Sequence, residues 1–393
     1  MDSKIIAKGV LTRQRNSLEA GRSAGAELVA SMPALPKLVL SYLTVNHDQA
    51  QFLSGLREAL GPDVPVVGCS GQGVMGRGAV HEDGYAASLM ALGGAGLEVA
   101  VARADDVHVD SRAKGVTIGQ TLREQHTRPP KICLLHYDPL CGVDLDVLLS
   151  GVGPQIEAPI MGGAAAHFFN VAMTTTYQYF GQEVFSKGAV AVSLAGDFSA
   201  EMAFSTSCAP VGHQLTVTKV EGNQILEFDG RSALDVWREI TGSSGALDVM
   251  ASSSVAIGVP VAGVEGGHLI RAAFVFDEKS RGMLLSAAVP EGTTVTLYHR
   301  TVDDTLSGAA RTADELAERL AGKQLRAVLG FECGGRTRPF LGMAATNEEN
   351  RALQAKVGPS AEWAGVICWG ELFPVGGKPG FHNYAFPLLA IAE

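Results

Sequence analysis

The residues able to do chemistry in this 393-residue chain gather in a few short, glycine-bearing segments. Gly68-Cys69-Ser70-Gly71-Gln72-Gly73 offers a thiol, a hydroxyl and pliant backbone amides, a set able to cradle a carboxylate or phosphate. The same glycines would also serve a tight strand exit, with Cys69 in the core. Gly162-Gly163-Ala164-Ala165-Ala166-His167 carries small side chains that admit a ligand or a second backbone, with His167 at the rim. In Phe331-Glu332-Cys333-Gly334-Gly335-Arg336, Arg336 could pair bidentately with an acidic ligand whose base Cys333 lines. Trp369-Gly370-Glu371 and Phe381-His382-Asn383 flank the turn-rich PVGGKPG, and a hairpin there would set Glu371 beside His382, a carboxylate orienting an imidazole. A structural hydrogen bond is the plainer use of that pair. The candidate ligand-binding set is therefore Cys69, Ser70, Gly162, Gly163, His167, Cys333, Arg336, Glu371, His382 and Asn383.

The commoner enzyme signatures are missing: GxSxG, GxxxxGK[ST], HExxH and a strand-linked GxGxxG. An enzyme remains the second reading, a hydrolase or isomerase using Cys69 or Cys333 with His382, which would need the base beside the thiol. The six cysteines lack CxxC spacing and read as reduced thiols. No cluster has metal-ligand spacing, so no metal is expected. Haem is possible through an axial histidine, but ten histidines without a CxxCH motif do not single one out.

These segments need elements to position them. Short Val/Leu/Ala runs alternate with capped helical patterns, a mixed α/β signal. Asp48 with Gln51, Ser232 with Asp235, Thr312 with Glu315 and Thr346 with Glu349 have capping-box spacing, so helices should begin there; Gly322 and Gly358 stand where helix ends want a left-handed residue. KLVLSYL, a helix, then PVVGCSGQG match KICLLHY, a helix, then PIMGGAAAH: Lys37 to Gly68 and Lys131 to Gly162 each span 31 positions (68 − 37 and 162 − 131). A looser third copy runs from RAVLGFE to GVICWGELFP, which would make the loops at Cys69, Gly162 and Trp369 equivalent and place the first two in one pocket. Each loop leads into a further apolar strand, YAASLMAL, KGAVAVSLAG and YAFPLLAIA. From about Cys208 to Val302 antiparallel strands with tight turns replace this pattern. The fold expected is a two-domain mixed α/β protein with repeated βαβ-type units and an inserted antiparallel β-rich region.

Charge and hydropathy narrow the function. A formal charge of −10 without a Lys/Arg run argues against nucleic acid as a partner. The first 21 residues lack the apolar core of a secretory signal, and Tyr85–Ala102, the one stretch near membrane length, is divided by Gly93, Gly94 and Gly96 and reads as two buried strands joined by a glycine turn. A cytoplasmic location without membrane insertion is expected.

In order and spacing these segments resemble the FIST family, two-part sensory domains of bacterial signalling proteins and some eukaryotic F-box proteins. The likeness lies at VVGCSGQG, PIMGGAAAH and KGAVAVSLAGDF in the first part. In the second it lies at PVGHQLTVTKVEGNQILEFDGRSALDVW, IGVP, CGGRTRPFLG and WGELFPVGGKPGFHNYA. The first loop departs from the family pattern, where Ser-Thr and a downstream Gly-Glu are common. The resemblance implies a FIST N-like domain over 1–205 and a FIST C-like domain over 206–393, with Cys69, Ser70, Gly162, Gly163, Cys333, Arg336, Glu371, His382 and Asn383 at the site. It further implies a small-molecule ligand such as an amino acid, haem in some members, and a stand-alone sensor that signals through a separate protein such as a histidine kinase.

Overall fold

The computed structural model describes residues 4–168, 175–243 and 253–393. Its helices are α1 (Ser17–Ala30), α2 (Gln49–Leu60), α3 (Ser111–Glu124), α4 (Leu145–Ile156), α5 (Ala233–Thr241), α6 (Val302–Arg319) and α7 (Met343–Val357). Each repeated segment folds as strand, helix and parallel second strand: Leu38–Thr44, α2 and Val66–Gly71; Pro130–Tyr137, α4 and Ile160–Gly163; Leu325–Cys333, α7 and Glu362–Cys368. The apolar strand after each loop, Ala87–Gly93, Ala189–Gly196 or Leu388–Ala392, returns antiparallel beside the first.

One steric detail marks the units as equivalent. Gly68, Gly162 and Gly365 lie opposite Ser41, Leu135 and Gly330 in the parallel ladders. A Cβ on these glycines would stand 1.8, 2.2 and 2.2 Å from the facing carbonyl oxygens, so no larger residue lets the strands close. The third counterpart is thus Gly365 rather than the Trp369 loop. It lies 39 positions beyond Arg326 (365 − 326), because the Gly334–Gly342 turn, which contains the one-turn π-helix Thr337–Leu341, lengthens that unit. The next residue of each first strand points to a shared axis, where the rings of Tyr42, His136 and Phe331 meet with centroids 5.3, 6.5 and 5.7 Å apart.

Each unit lies in a six-stranded sheet, and the inner faces of the three sheets share one core. Leu38, Leu40, Ile132, Leu134, Ala327 and Leu329 point inward; Val39, Cys133, Leu135 and Val328 point out, beneath α1–α2, α3–α4 and α6–α7. Both faces are covered, so the strands read as unbroken apolar runs.

The capping expectations divide. Asp48 and Ser232 cap α2 and α5 as the spacing implies. Thr312 lies inside α6, which starts at a stronger copy of the same box, Thr301 with Asp304. Thr346 lies inside α7 and bonds back to the Gly342 carbonyl. Gly322 is left-handed (φ +76°), whereas Gly358 is extended (φ 166°). Tyr85–Ala102 does hold two strands, Ala87–Gly93 and Leu97–Ala104, but they belong to different sheets.

Between the second and third units the chain forms a curled antiparallel sheet running from His268–Arg271 to Ala273–Asp277, with α5 and Trp237 filling its interior. The opposite face, at Ala256, Ile270, Ala272 and Tyr298, packs on Cys333 and Tyr384 of the third unit.

Candidate functional site

The loops leaving the second strand of each unit interlock. Ser70 Oγ donates to the Ala166 carbonyl (2.9 Å) and accepts from the Tyr177 amide (3.0 Å), while the Ala166 amide donates to the Ser70 carbonyl. The Ala164 amide donates to the Gly370 carbonyl, the Gly334 amide to Cys368 and the Gln72 amide to Ile367. Glu371 lies opposite Gly163, and a Cβ at Gly163 would meet Cys368 Sγ at 2.5 Å. The Cys69, Gly162 and Trp369 loops therefore share one bonded cluster.

Its polar side chains form a chain. Trp369 Nε1 donates to Gln72 Oε1 (3.0 Å), and Gln72 Nε2 donates to Glu82 Oε2 (2.9 Å) and to the Gly334 carbonyl (3.0 Å). His167 packs edge-on against Trp369 at 4.3 Å and bonds the Phe168 carbonyl through Nδ1 (2.9 Å). Burial raises the Glu82 carboxyl, partly offset by Thr337, Gln72 and the Arg338 amide.

The Phe381–His382 hairpin forms, and Glu371 faces His382 in register. The side chains nevertheless turn to different partners. Glu371 Oε2 accepts from the Ala385 amide (3.0 Å) and Oε1 from the Gly370 amide (3.1 Å) and the Cys368 thiol (3.6 Å). Burial pushes Glu371 up to about 8 against these donors and Cys333. Fully buried His382 makes no side-chain hydrogen bond to Glu371; burial and the Arg271 guanidinium push it down to about 3, partly opposed by the Phe373 backbone. Burial also raises the thiols of Cys69, Cys333 and Cys368, so none is an anion near neutrality. With no bond from His382 to either thiol, the nucleophile–base pair needed for Cys69 or Cys333 catalysis is not assembled.

Arg336 turns away from the loops. Its Nε donates to Ser207 Oγ (2.6 Å), Nη2 to Glu349 Oε1 (2.7 Å) and Nη1 to Glu332, all buried. Asn383 ties the hairpin to the curled sheet: its Oδ1 accepts from the Ala272 amide (2.9 Å) and Ser286 Oγ (2.7 Å). Sequence reasoning passed over Arg300, which is nearly as deeply buried as Arg336 but pairs with no carboxylate among the described residues, and the Tyr42–His136 contact (Oη to Nε2, 3.2 Å) on the central axis. The common offset of Tyr42 and His136 within their units was a readable signal; the burial of Arg300 was not.

A cleft of about 820 Å³ lies elsewhere, between α4, the Pro260–Ala262 strand end and the Val375–Pro379 turn. It is lined by prolines and aliphatic residues with Asp146, Glu157 and Lys378, and by none of the ten sequence candidates. It has no histidine, so its lining does not suit an axially held haem. Among the described residues no group of His, Cys, Asp and Glu is arranged to hold a metal, and no helix is long and apolar enough to cross a membrane.

Family models for a FIST N domain and a FIST C domain match residues 37–231 and 233–374. The chain belongs to the FIST family. FIST domains are small-ligand-sensing domains of signal transduction. This FIST protein is 26% identical over 394 residues to the uncharacterized proteins Mb0898c of Mycobacterium bovis and MT0897 of Mycobacterium tuberculosis, over 96% of each chain. Among solved structures, a cyanuric acid hydrolase from A. caulinodans aligns over 99% of both chains at 9% identity and a TM-score of 0.40. Phosphoribosylformylglycinamidine synthase II from Thermotoga maritima aligns over 99% of this chain and 72% of its own, at 10% identity and 0.24. Likenesses this distant carry no function across.

Proposed function

We propose that the chain is a small-molecule sensor that binds a polar or anionic ligand where the strand-end loops meet beneath the curled sheet, and passes its response to a separate signalling protein such as a histidine kinase. The observation that carries this reading is the interlocking of the Ser70, Ala164–Ala166 and Trp369–Gly370 loops around Gln72, Glu82 and His167. Loops at the carboxyl ends of parallel strands are where α/β sheets hold ligands, and small residues let a ligand approach the backbone. The curled sheet rests on the same end through Cys333 and Tyr384, so a ligand between them would couple occupancy to the seating of the sheet. The experiment is a thermal-shift screen of amino acids, organic acids and sugars on the parent and on Trp369→Ala, since a binder stabilises the fold by mass action. A ligand should raise the melting temperature of the parent and lose that effect in Trp369→Ala. An equal shift in both proteins, or no shift across the panel, contradicts the reading.

A further inference from the structure

Arg300 follows the Thr294–His299 strand and is only 2% exposed. Its guanidinium carbon lies 3.7 Å from the Phe340 ring centroid and 3.8 Å from that of Tyr384, so the plane is held between two rings. Nη1 donates to the Gly335 carbonyl at 3.0 Å, which fixes the rotation of the group. Nε and Nη2 have no partner. These two nitrogens share one edge of the guanidinium, and their hydrogens point the same way as the fork that meets a carboxylate bidentately.

Leaving a buried guanidinium with an empty fork is costly, and proteins normally compensate with a counter-ion. No carboxylate pairs with it among the described residues, and the ionisable groups that act on it most strongly are Tyr384, Cys208, Cys333 and Arg336. Burial keeps the phenol and both thiols neutral near pH 7, and Arg336 adds positive charge. Arg336 commits its own donors to Glu332, Glu349 and Ser207, whereas Arg300 keeps its fork free. The fork also adjoins the loop cluster, since Gly335 anchors Arg300 while the preceding carbonyl, of Gly334, accepts from Gln72.

We propose that Arg300 is the anion-binding residue of the ligand site and takes the carboxylate of a small organic acid on its Nε–Nη2 edge. This rests on the sensor reading above and names the chemistry of the ligand. A planar carboxylate stays in the guanidinium plane, within the slot set by Phe340 and Tyr384. A tetrahedral phosphate pushes oxygens out of that plane toward the rings. The fork is closed to solvent in this conformation, and Phe340, half-buried on the one-turn π-helix, is the wall that must lift to admit the ligand.

The test compares the full-length parent, Arg300→Lys and Arg300→Met by thermal shift and titration calorimetry. The probes are sodium acetate, glycine and sodium succinate, set against inorganic phosphate and sodium chloride at matched ionic strength. At least one carboxylate should stabilise the parent more than phosphate does. Arg300→Lys, which keeps the charge but loses the planar fork, should weaken that binding on the order of tenfold to a hundredfold. Arg300→Met should abolish it while leaving the unliganded protein as stable as the parent or more so, because it removes an uncompensated buried charge. A carboxylate response undiminished in either variant overturns the inference, and the lysine variant decides alone if the methionine variant does not fold. Phosphate binding as tight as any carboxylate also overturns it. If uncharged molecules alone bind, through Trp369, the Arg300 inference fails and the sensor reading stands; if nothing binds, both fail.

Discussion

Arg336→Met should be among the most damaging single substitutions in the third unit. The wild-type guanidinium is wholly buried and bonds Glu349 at 2.7 Å, Ser207 at 2.6 Å and Glu332, with the Phe386 ring 5.2 Å away. Methionine fills much of the space but strands two buried carboxylates, each of which already has one oxygen without a partner. Removing one side of a buried ion pair costs about 3–5 kcal/mol, a large share of the roughly 5–15 kcal/mol that holds a domain together. With a urea slope of about 3 kcal/mol/M, the unfolding midpoint should fall by about 1 M or more. Burial already raises Glu332, with Arg336 opposing it, and loss of the guanidinium raises it further. An acid whose folded pKa is raised adds stability at low pH and loses it as pH rises, so the deficit should be smaller at pH 5.5 than at pH 7.5. Replacing Glu332 and Glu349 by Leu in the same chain should recover most of the loss. A midpoint equal to that of the parent, or a deficit independent of pH and not rescued, would refute the reasoning.

Three further outcomes follow from the same structure. Glu371, raised to about 8, contributes stability that is present below its ordinary carboxyl range and lost as pH rises through about 8; Glu371→Gln should flatten this slope in calorimetry between pH 5 and 9, and a slope kept in the variant contradicts the assignment. His382, lowered to about 3, has the opposite sign, its stability being present above about 6.5 and lost on acidification, so His382→Phe, set against Phe204 at 5.1 Å, should unfold at lower pH than the parent. Gly162→Ala drives a Cβ to 2.2 Å from the Leu135 carbonyl at φ +131° and should cost more than about 3 kcal/mol, whereas Gly61→Ala, at φ +80° with open space, should cost about 1 kcal/mol; equal losses in urea would dismiss the steric account.

The repeat was legible because equivalent strands must bury the same positions and approach at the same glycines, which fixes the 31-residue offset in two units. The third unit hid its register behind the lengthened Gly334–Gly342 turn, so Trp369 stood in for Gly365. The interlocking of the strand-end loops follows from that repeat. What each charged side chain does there does not. Arg336 and Arg300 are both arginines just past a strand, and their difference lies in Glu332, Glu349 and Ser207, brought together from three places in the sequence, which take up every nitrogen of one while the other keeps two without a partner. Glu371 and His382 are in register as the turn composition implied, yet backbone amides that sequence spacing cannot locate claim the carboxylate. Thr312 misled because a capping box also fits a helix interior, where its hydroxyl bonds the Gly308 carbonyl.

The most direct measurement is a crystal structure of the chain grown with whichever small molecule stabilises it most. The sensor reading predicts ligand density between the Ser70–Gln72, Ala164–His167 and Gly334–Gly335 loops, beneath the curled sheet. Density confined to the cleft along α4, with those loops closed on one another as they are here, would contradict it.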